Sequence, residues 1–176
     1  ITMYVNMHDP LNPFVGWDNA SYRGGGVLFF GKGSSKYNAP LSKGLDVVSH
    51  ELTHGLIQSA TNIGNTNKNN AQNVALIEAF CDIMAIIVDG NFTIGENSNV
   101  DTKYRPSGLI RNPISPHNGL SNSGNWGANE SNGYTANHLN EFVNDADAAH
   151  YNSTIISHAF YLMTGTENND GIGMSV

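Results

Sequence analysis

Gly44-Leu45-Asp46-Val47-Val48-Ser49-His50-Glu51-Leu52-Thr53-His54 is the stretch on which the reading of the fold turns. From Leu45 to Gln58 there is no proline and one glycine, and Leu45, Val48, Leu52 and Leu56 recur at steps of three and four, the period of an amphipathic helix. Residues four apart share a helix face. His50 and His54 therefore point the same way, with Glu51 beside them. Two neutral imidazoles at that spacing are two legs of a zinc site, and catalytic zinc keeps one position open for water. A carboxylate next to that water can take its proton. A third protein ligand is still required.

The second helix supplies it. From about Asn73 to Val88 the chain is almost wholly apolar, and its charges before the C-terminal end are Glu78 and Asp82, four apart on one face. A helix apolar all round is expected to be buried, and a buried carboxylate is costly unless paired or metal-bound. Glu78 can complete the zinc site. Asp82 can accept the other ring N–H of a ligand histidine and fix its tautomer. Asp46, His50 and His54 make one stripe; Glu78, Asp82 and Asp89 make another. Packed antiparallel, the helices bring Glu78 to the histidines, Asp82 behind His50 and Asp89 toward Asp46. The last two carboxylates would repel, and a hard cation such as calcium between them would relieve that.

The 176 residues carry a net charge of -7, which argues against a nucleic-acid partner. One cysteine rules out an internal disulfide and a thiolate-rich zinc site; Cys81 reads as an inert core thiol. No apolar run is expected to span a membrane. Abundant Asn, Gly and Ser point to many loops and suit an extracellular protein held by metal ions. The abrupt ends suggest a piece of a longer chain. Ile1–Met7 reads as a strand, broken by Pro10, Pro13 and Gly16. Trp17–Phe30 reads as a hairpin at a sheet edge, able to take an extended peptide as an added strand. Ser42 is the expected cap of the motif helix. After a loop-rich stretch from Asp101 to Asp147, a helix is expected from Ser153 to Met163, capped by Asn152 or Ser153.

His50-Glu51-Leu52-Thr53-His54 followed by Glu78-Ala79-Phe80-Cys81-Asp82 resembles the thermolysin-like metallopeptidases, which use H-E-x-x-H and a downstream E-x-x-x-D. Asn19-Ala20-Ser21-Tyr22 is similar to that family's substrate-lining edge strand, and Leu109-Ile110-Arg111 to its substrate-carbonyl arginine segment. Asp145 and His150 resemble its supporting aspartate and catalytic histidine, and Gly165 to Gly173 a segment after that histidine's helix. The resemblance implies an α+β fold, a small edge-exposed sheet followed by buried helices carrying zinc, in a single catalytic domain over residues 1–176. It implies a secreted zinc endopeptidase: His50, His54 and Glu78 on zinc, Glu51 as general base, and His150, oriented by Asp145, donating to the oxyanion. Arg111 would hold a substrate carbonyl, and Asn19 and Ala20 the peptide backbone. Calcium would sit on Asp46, Asp89 and Glu96. Leu41, Val47 and Ile110 are the expected pocket walls.

The chain also departs from the family. Ile77 replaces the usual asparagine before the glutamate ligand, and Asn38 an aromatic of the primed-side pocket. No tyrosine stands between His54 and Glu78. Asn91 and Thr93 occupy positions that are usually acidic. The family's C-terminal helical lobe is expected to be largely missing, leaving this piece alone weak or inactive. Two other classes share the ligands: a metal-stabilised binding or scaffold module, and a zinc hydrolase of another substrate.

Overall fold

The structure is a computed structural model and describes residues 1–61, 70–103, 105, 107–117 and 134–164. Four strands come first: β1 (Thr2–Asp9), β2 (Asn12–Gly16), β3 (Ala20–Tyr22) and β4 (Val27–Gly31). They form one sheet in the order β2-β1-β4-β3, with β1 parallel to β4 and the other pairs antiparallel. The expected break at Pro10–Gly16 is instead a tight turn followed by β2. Pro13 is accommodated because β2 is an edge strand, where a missing N–H is tolerated. The β3–β4 hairpin turns through Gly24, Gly25 and Gly26, with φ of +85°, +59° and +76°, a region in which glycine alone is unstrained. β3 lies at the other edge, as the sequence leads one to expect. Leu28 and Phe30 of β4 point inward, fully buried, against Tyr37, Leu41, Val47 and Val100.

α1 (Leu45–Ala60) follows a short 3-10 turn, Leu41–Lys43. Ser42 lies inside that turn and does not cap; Gly44 takes the cap position with no side-chain bond. α1 buries Asp46, Val47, Ser49, His50, Glu51, Thr53 and Ile57. Leu45, Leu52 and Leu56, whose spacing announces the helix, are 37–52% exposed. Convergence of His50, Glu51 and their partners sets the rotation of the helix, and the leucine stripe is left outside.

α2 (Ala71–Asp89) starts earlier than Asn73 because the Asn70 side chain accepts from the Gln72 and Asn73 N–H groups at 3.0 and 3.1 Å. It ends at Gly90 in the left-handed conformation. The helix is not buried all round: Leu76, Phe80, Ile87 and Val88 are 44–49% exposed. Contrary to the sequence reading, α2 is long and apolar enough, by length and composition, to cross a membrane. Here it packs between α1 and α3 (Ala149–Thr164), with Glu78 and Asp82 turned toward α1.

α3 begins four residues before the expected Ser153. A 3-10 turn, Ala146–Ala148, leads directly into it, and the Asn152 side chain is engaged with the Val143 backbone rather than capping. The earlier start places His150 in the first helical turn. The fold is α+β. Residues 62–69, expected to form a loop, and the segment Gly165–Gly173 lie outside the described residues.

Candidate active site

α1 and α2 lie side by side, and the two carboxylates of α2 meet the two histidines of α1. His50 Nε2 is 3.2 Å from His54 Nε2 and 3.2 Å from Glu78 Oε2; His54 Nε2 is 3.6 Å from Glu78 Oε1. Behind them, His50 Nδ1 donates to Asp82 Oδ1 at 2.9 Å. An ionised carboxylate only accepts, so this bond puts a proton on Nδ1 and aims Nε2 at the cluster. Glu78 Oε2 is buried and makes no hydrogen bond of good geometry, although imidazoles crowd it. Ligands about 2.0–2.1 Å from a tetrahedral zinc would stand roughly 3.3 Å apart. The donor types and their separations therefore fit zinc.

Asp82 is fully buried and is the hub of the supporting layer. Arg111 donates to it twice, Nε to Oδ2 at 2.7 Å and Nη2 to Oδ1 at 2.6 Å. Burial opposes ionisation of Asp82, but the Arg111 charge and the His50 bond outweigh it and hold the carboxyl below its usual range. Burial likewise opposes the charge on His50, yet the hydrogen bond to Asp82 and the adjacent Glu78 carboxylate raise its pKa to about 10. Glu78 is buried as well, and His150 and His50 keep it well below the usual carboxylate range. Burial lowers His54. Cys81 Sγ lies within 4.8 Å of ligand nitrogens of His50 and His54. Burial pushes its pKa up, so it stays a thiol.

Glu51 Oε2 accepts the Tyr22 backbone N–H at 2.8 Å. This contact ties the candidate base to the edge strand. The sequence reading missed it, because a backbone donor carries no signature in residue type. His150 Nε2 sits 3.0 Å from Glu78 Oε2 with the side chain 48% exposed, at the rim of the cluster. The expected Asp145–His150 contact is not formed. Asp145 is exposed and caps its own turn, accepting the Asp147 N–H at 2.9 Å, the nearest donor without a helical partner. Arg111 lines the cleft, and its guanidinium bonds reach behind His50 to Asp82. Asn19 and Ala20 line the cleft as well, with the Asn19 side chain turned onto the Ala20 N–H at 2.9 Å. Leu41, Val47 and Ile110 form part of the same cleft, about 860 Å³ in volume.

Beside this centre, Asp46, Asp89 and Glu96 draw together. Asp46 accepts the Val47 N–H at 2.7 Å and also the Gly95 N–H. The Asn91 amide bridges Asp89 and Glu96, and Thr93 Oγ1 donates to Glu96 at 3.2 Å. Asn91 and Thr93 thus act as donors between the acids, a role the sequence reading did not give them.

Comparison with known proteins identifies the family. The family model described as "Thermolysin metallopeptidase, catalytic domain" matches residues 1–58, and "Thermolysin metallopeptidase, alpha-helical domain" matches residues 57–176. Extracellular elastase of Staphylococcus epidermidis is 30% identical over 170 residues, covering 90% of this chain and 30% of the relative. Neutral protease B of Bacillus subtilis (strain 168) is 30% identical over 148 residues, covering 84% and 24%. The chain thus spans less than a third of the length of these relatives. The precursor of protealysin, a metalloproteinase from Serratia proteamaculans, superposes with a TM-score of 0.64 at 22% identity, over 83% of this chain and 46% of that one, and shares its fold. The chain belongs to the thermolysin metallopeptidase family.

Proposed function

We propose that the protein is a secreted zinc endopeptidase. The observation that carries this reading is the convergence of His50 Nε2, His54 Nε2 and the Glu78 carboxylate within 3.2–3.6 Å, with Glu51 held beside them by the edge strand. A zinc ion on those three residues would supply a Lewis acid that polarises the scissile carbonyl and acidifies water. Asp82 fixes the His50 tautomer, and Arg111 keeps Asp82 ionised. The Tyr22 N–H anchors one oxygen of Glu51. The carboxylate then takes a proton from the attacking water and passes it to the leaving amine. His150, exposed at the rim, donates its Nε2 proton to the oxyanion. The peptide lies along β3, using Asn19 and Ala20, with Arg111 toward a carbonyl and an apolar side chain between Leu41, Val47 and Ile110.

The reacting groups come from both matched segments, Glu51 and the two histidines from the first and Glu78, Arg111 and His150 from the second, which supports one catalytic unit. Location outside the cell is inferred from relatives named extracellular elastase. Asp46, Asp89 and Glu96 are proposed to hold calcium, since hard oxygen donors suit that ion.

The test is Glu51→Gln in the zinc-loaded protein. Zinc content should equal that of the wild type, while cleavage of a peptide library falls about 10²–10⁴-fold, the span typical of a lost general base. Chelation should abolish wild-type cleavage and zinc restore it. Unchanged turnover in Glu51→Gln would reject the assignment.

A further inference from the structure

The metal-binding cluster contains one imidazole more than the zinc ligand set uses. His150 Nε2 lies 3.0 Å from Glu78 Oε2, the same oxygen that is 3.2 Å from His50 Nε2. One donor atom each from His50, Glu78 and His150 lie within 4.8 Å of one another. His54 Nε2, 3.2 Å from His50 Nε2 and 3.6 Å from Glu78 Oε1, completes the cluster. His150 is thus nearer to the Glu78 carboxylate than His54 is. Glu78 Oε2, though buried among these rings, makes no hydrogen bond of good geometry with them. Ligands of a tetrahedral zinc stand roughly 3.3 Å apart, and His150 meets that spacing as well as its neighbours do.

The backbone that carries His150 is fixed. Tyr151 beside it is buried, and its carbonyl accepts the Ala136 N–H at 3.1 Å. Asn152 exchanges two bonds with the Val143 backbone, at 3.0 and 2.8 Å. Thr154 Oγ1 donates to Ala136 O at 2.6 Å. The ring can therefore move by its side-chain torsions while its Cα stays in place. Asp145, which would hold the ring as a dedicated proton donor, accepts the Asp147 N–H instead. Among the described residues, Glu78 is the acid that the ring meets.

We propose that His150 is a fourth protein ligand of the metal in the substrate-free protein, closing the site together with His50, His54 and Glu78. A catalytic zinc keeps a position open, whereas four protein ligands make the closed arrangement of a structural site. Turnover then requires a ligand exchange. The bond from Nε2 to the metal breaks, a substrate oxygen takes the position, and the freed nitrogen takes a proton from solvent. Only in that form does it donate to the oxyanion. One nitrogen serves both roles, so the two alternate. This rests on the zinc site of the peptidase reading and not on hydrolysis.

The first test needs no variant. With NMR-active cadmium in place of zinc and isotope-labelled histidine, scalar coupling to the metal identifies each bound nitrogen. Coupling is expected at Nε2 of His50, His54 and His150. The second test compares zinc-loaded wild type with His150→Ala, a substitution at a half-exposed side chain whose folding is checked by circular dichroism. Zinc affinity by chelator competition should fall at least about tenfold, the lower bound for losing even a supporting partner of a ligand. Acetohydroxamate, which binds zinc through its oxygens, should bind the variant more tightly, because no ligand has to leave. A residue that only hydrogen-bonds the oxyanion gives the reverse: equal zinc affinity and weaker hydroxamate binding. Coupling at His50 and His54 alone overturns the proposal, as does unchanged zinc affinity or weaker hydroxamate binding in folded His150→Ala. Coupling at all three rings in a protein that cleaves no peptide would uphold the closed site and reject the peptidase reading.

Discussion

His50 has two carboxylate neighbours of opposite purpose. Its Nδ1 proton is fixed on Asp82, while its Nε2 faces Glu78. Before metal binds, those two acids lift its pKa to about 10 against the cost of burial. A folded value above the unfolded one stabilises the protein fully below the unfolded value, about 6.5. That contribution is lost as pH rises through about 10. Zinc must therefore displace a proton at neutral pH. Calorimetry of zinc binding at pH 7.5 in buffers of different ionisation enthalpy should show close to one proton released, and apparent affinity should rise with pH. Buffer-independent heats would refute this. Asp82→Asn removes the charge that supports His50 and strands Arg111. Zinc affinity should fall about 10–100-fold, and stability by about 3–5 kcal/mol, as for a broken buried ion pair. The wild-type Asp82 carboxyl is held low, so its contribution is present above the usual carboxylate pKa and lost as pH falls through the folded value. The variant should lack that limb of the acid-unfolding curve.

At the level of elements, much was legible and the errors have physical causes. The H-E-x-x-H spacing and the Glu78/Asp82 pair placed two helices and their facing stripes, because a metal clamp constrains residue type and period together. The leucine spacing of α1 marks its helical period but not its buried face, since Leu45, Leu52 and Leu56 lie outward while Asp46, His50 and Glu51 are buried. The start of α3 was missed because the 3-10 turn from Ala146 gives no periodic apolar signal. The seam between α1 and β3 was not readable either, and it depends on Gly55. A side-chain carbon there would meet the Tyr22 ring at 2.9 Å. Tyr22 also accepts the Gly26 N–H on its hydroxyl at 3.3 Å, so its ring is not free to swing away. In Gly55→Ala, helix propensity gains about 1 kcal/mol, and overpacking costs about 1–3 kcal/mol. The thermal midpoint should move little. Displacing Tyr22 moves the N–H that holds Glu51, so kcat/KM should drop about tenfold. An unchanged kcat/KM would show that the seam does not position the base.

On the scale of the whole molecule, the acidic cluster joins three segments distant in sequence: the start of α1 through Asp46, the end of α2 through Asp89, and the following loop through Glu96. That loop is clamped to the segment carrying Arg111, with Ile94 N–H donating to Arg111 O at 3.0 Å and Ile110 N–H to Ile94 O at 2.7 Å. Order in the cluster is thus passed to the residue that supports Asp82 behind His50. Burial raises the Asp46 carboxyl above its usual value, with the Glu96 charge adding to it. Burial, the bond to Glu96 and the Asp46 charge do the same to Asp89. A raised folded value means that the folded state holds these protons more tightly than the unfolded chain does. Stability relative to acid therefore falls as pH climbs past the usual carboxylate value and through the raised ones. A divalent ion bound by the ionised acids reverses that loss. At a Kd of about 10⁻⁴–10⁻³ M, common for extracellular calcium sites, about 10 mM calcium stabilises by roughly 1.4–2.7 kcal/mol. For a chain of this size that is about 3–10 °C in Tm. The measurement is thermal unfolding of zinc-loaded protein with and without calcium at pH 7.5 and pH 5. The shift should be larger at the higher pH than at the lower, where protons compete better for the acids, and absent in Asp46→Asn. No shift at pH 7.5, or the same shift in Asp46→Asn, would remove calcium from this site and leave the acids bridged only by Asn91 and Thr93.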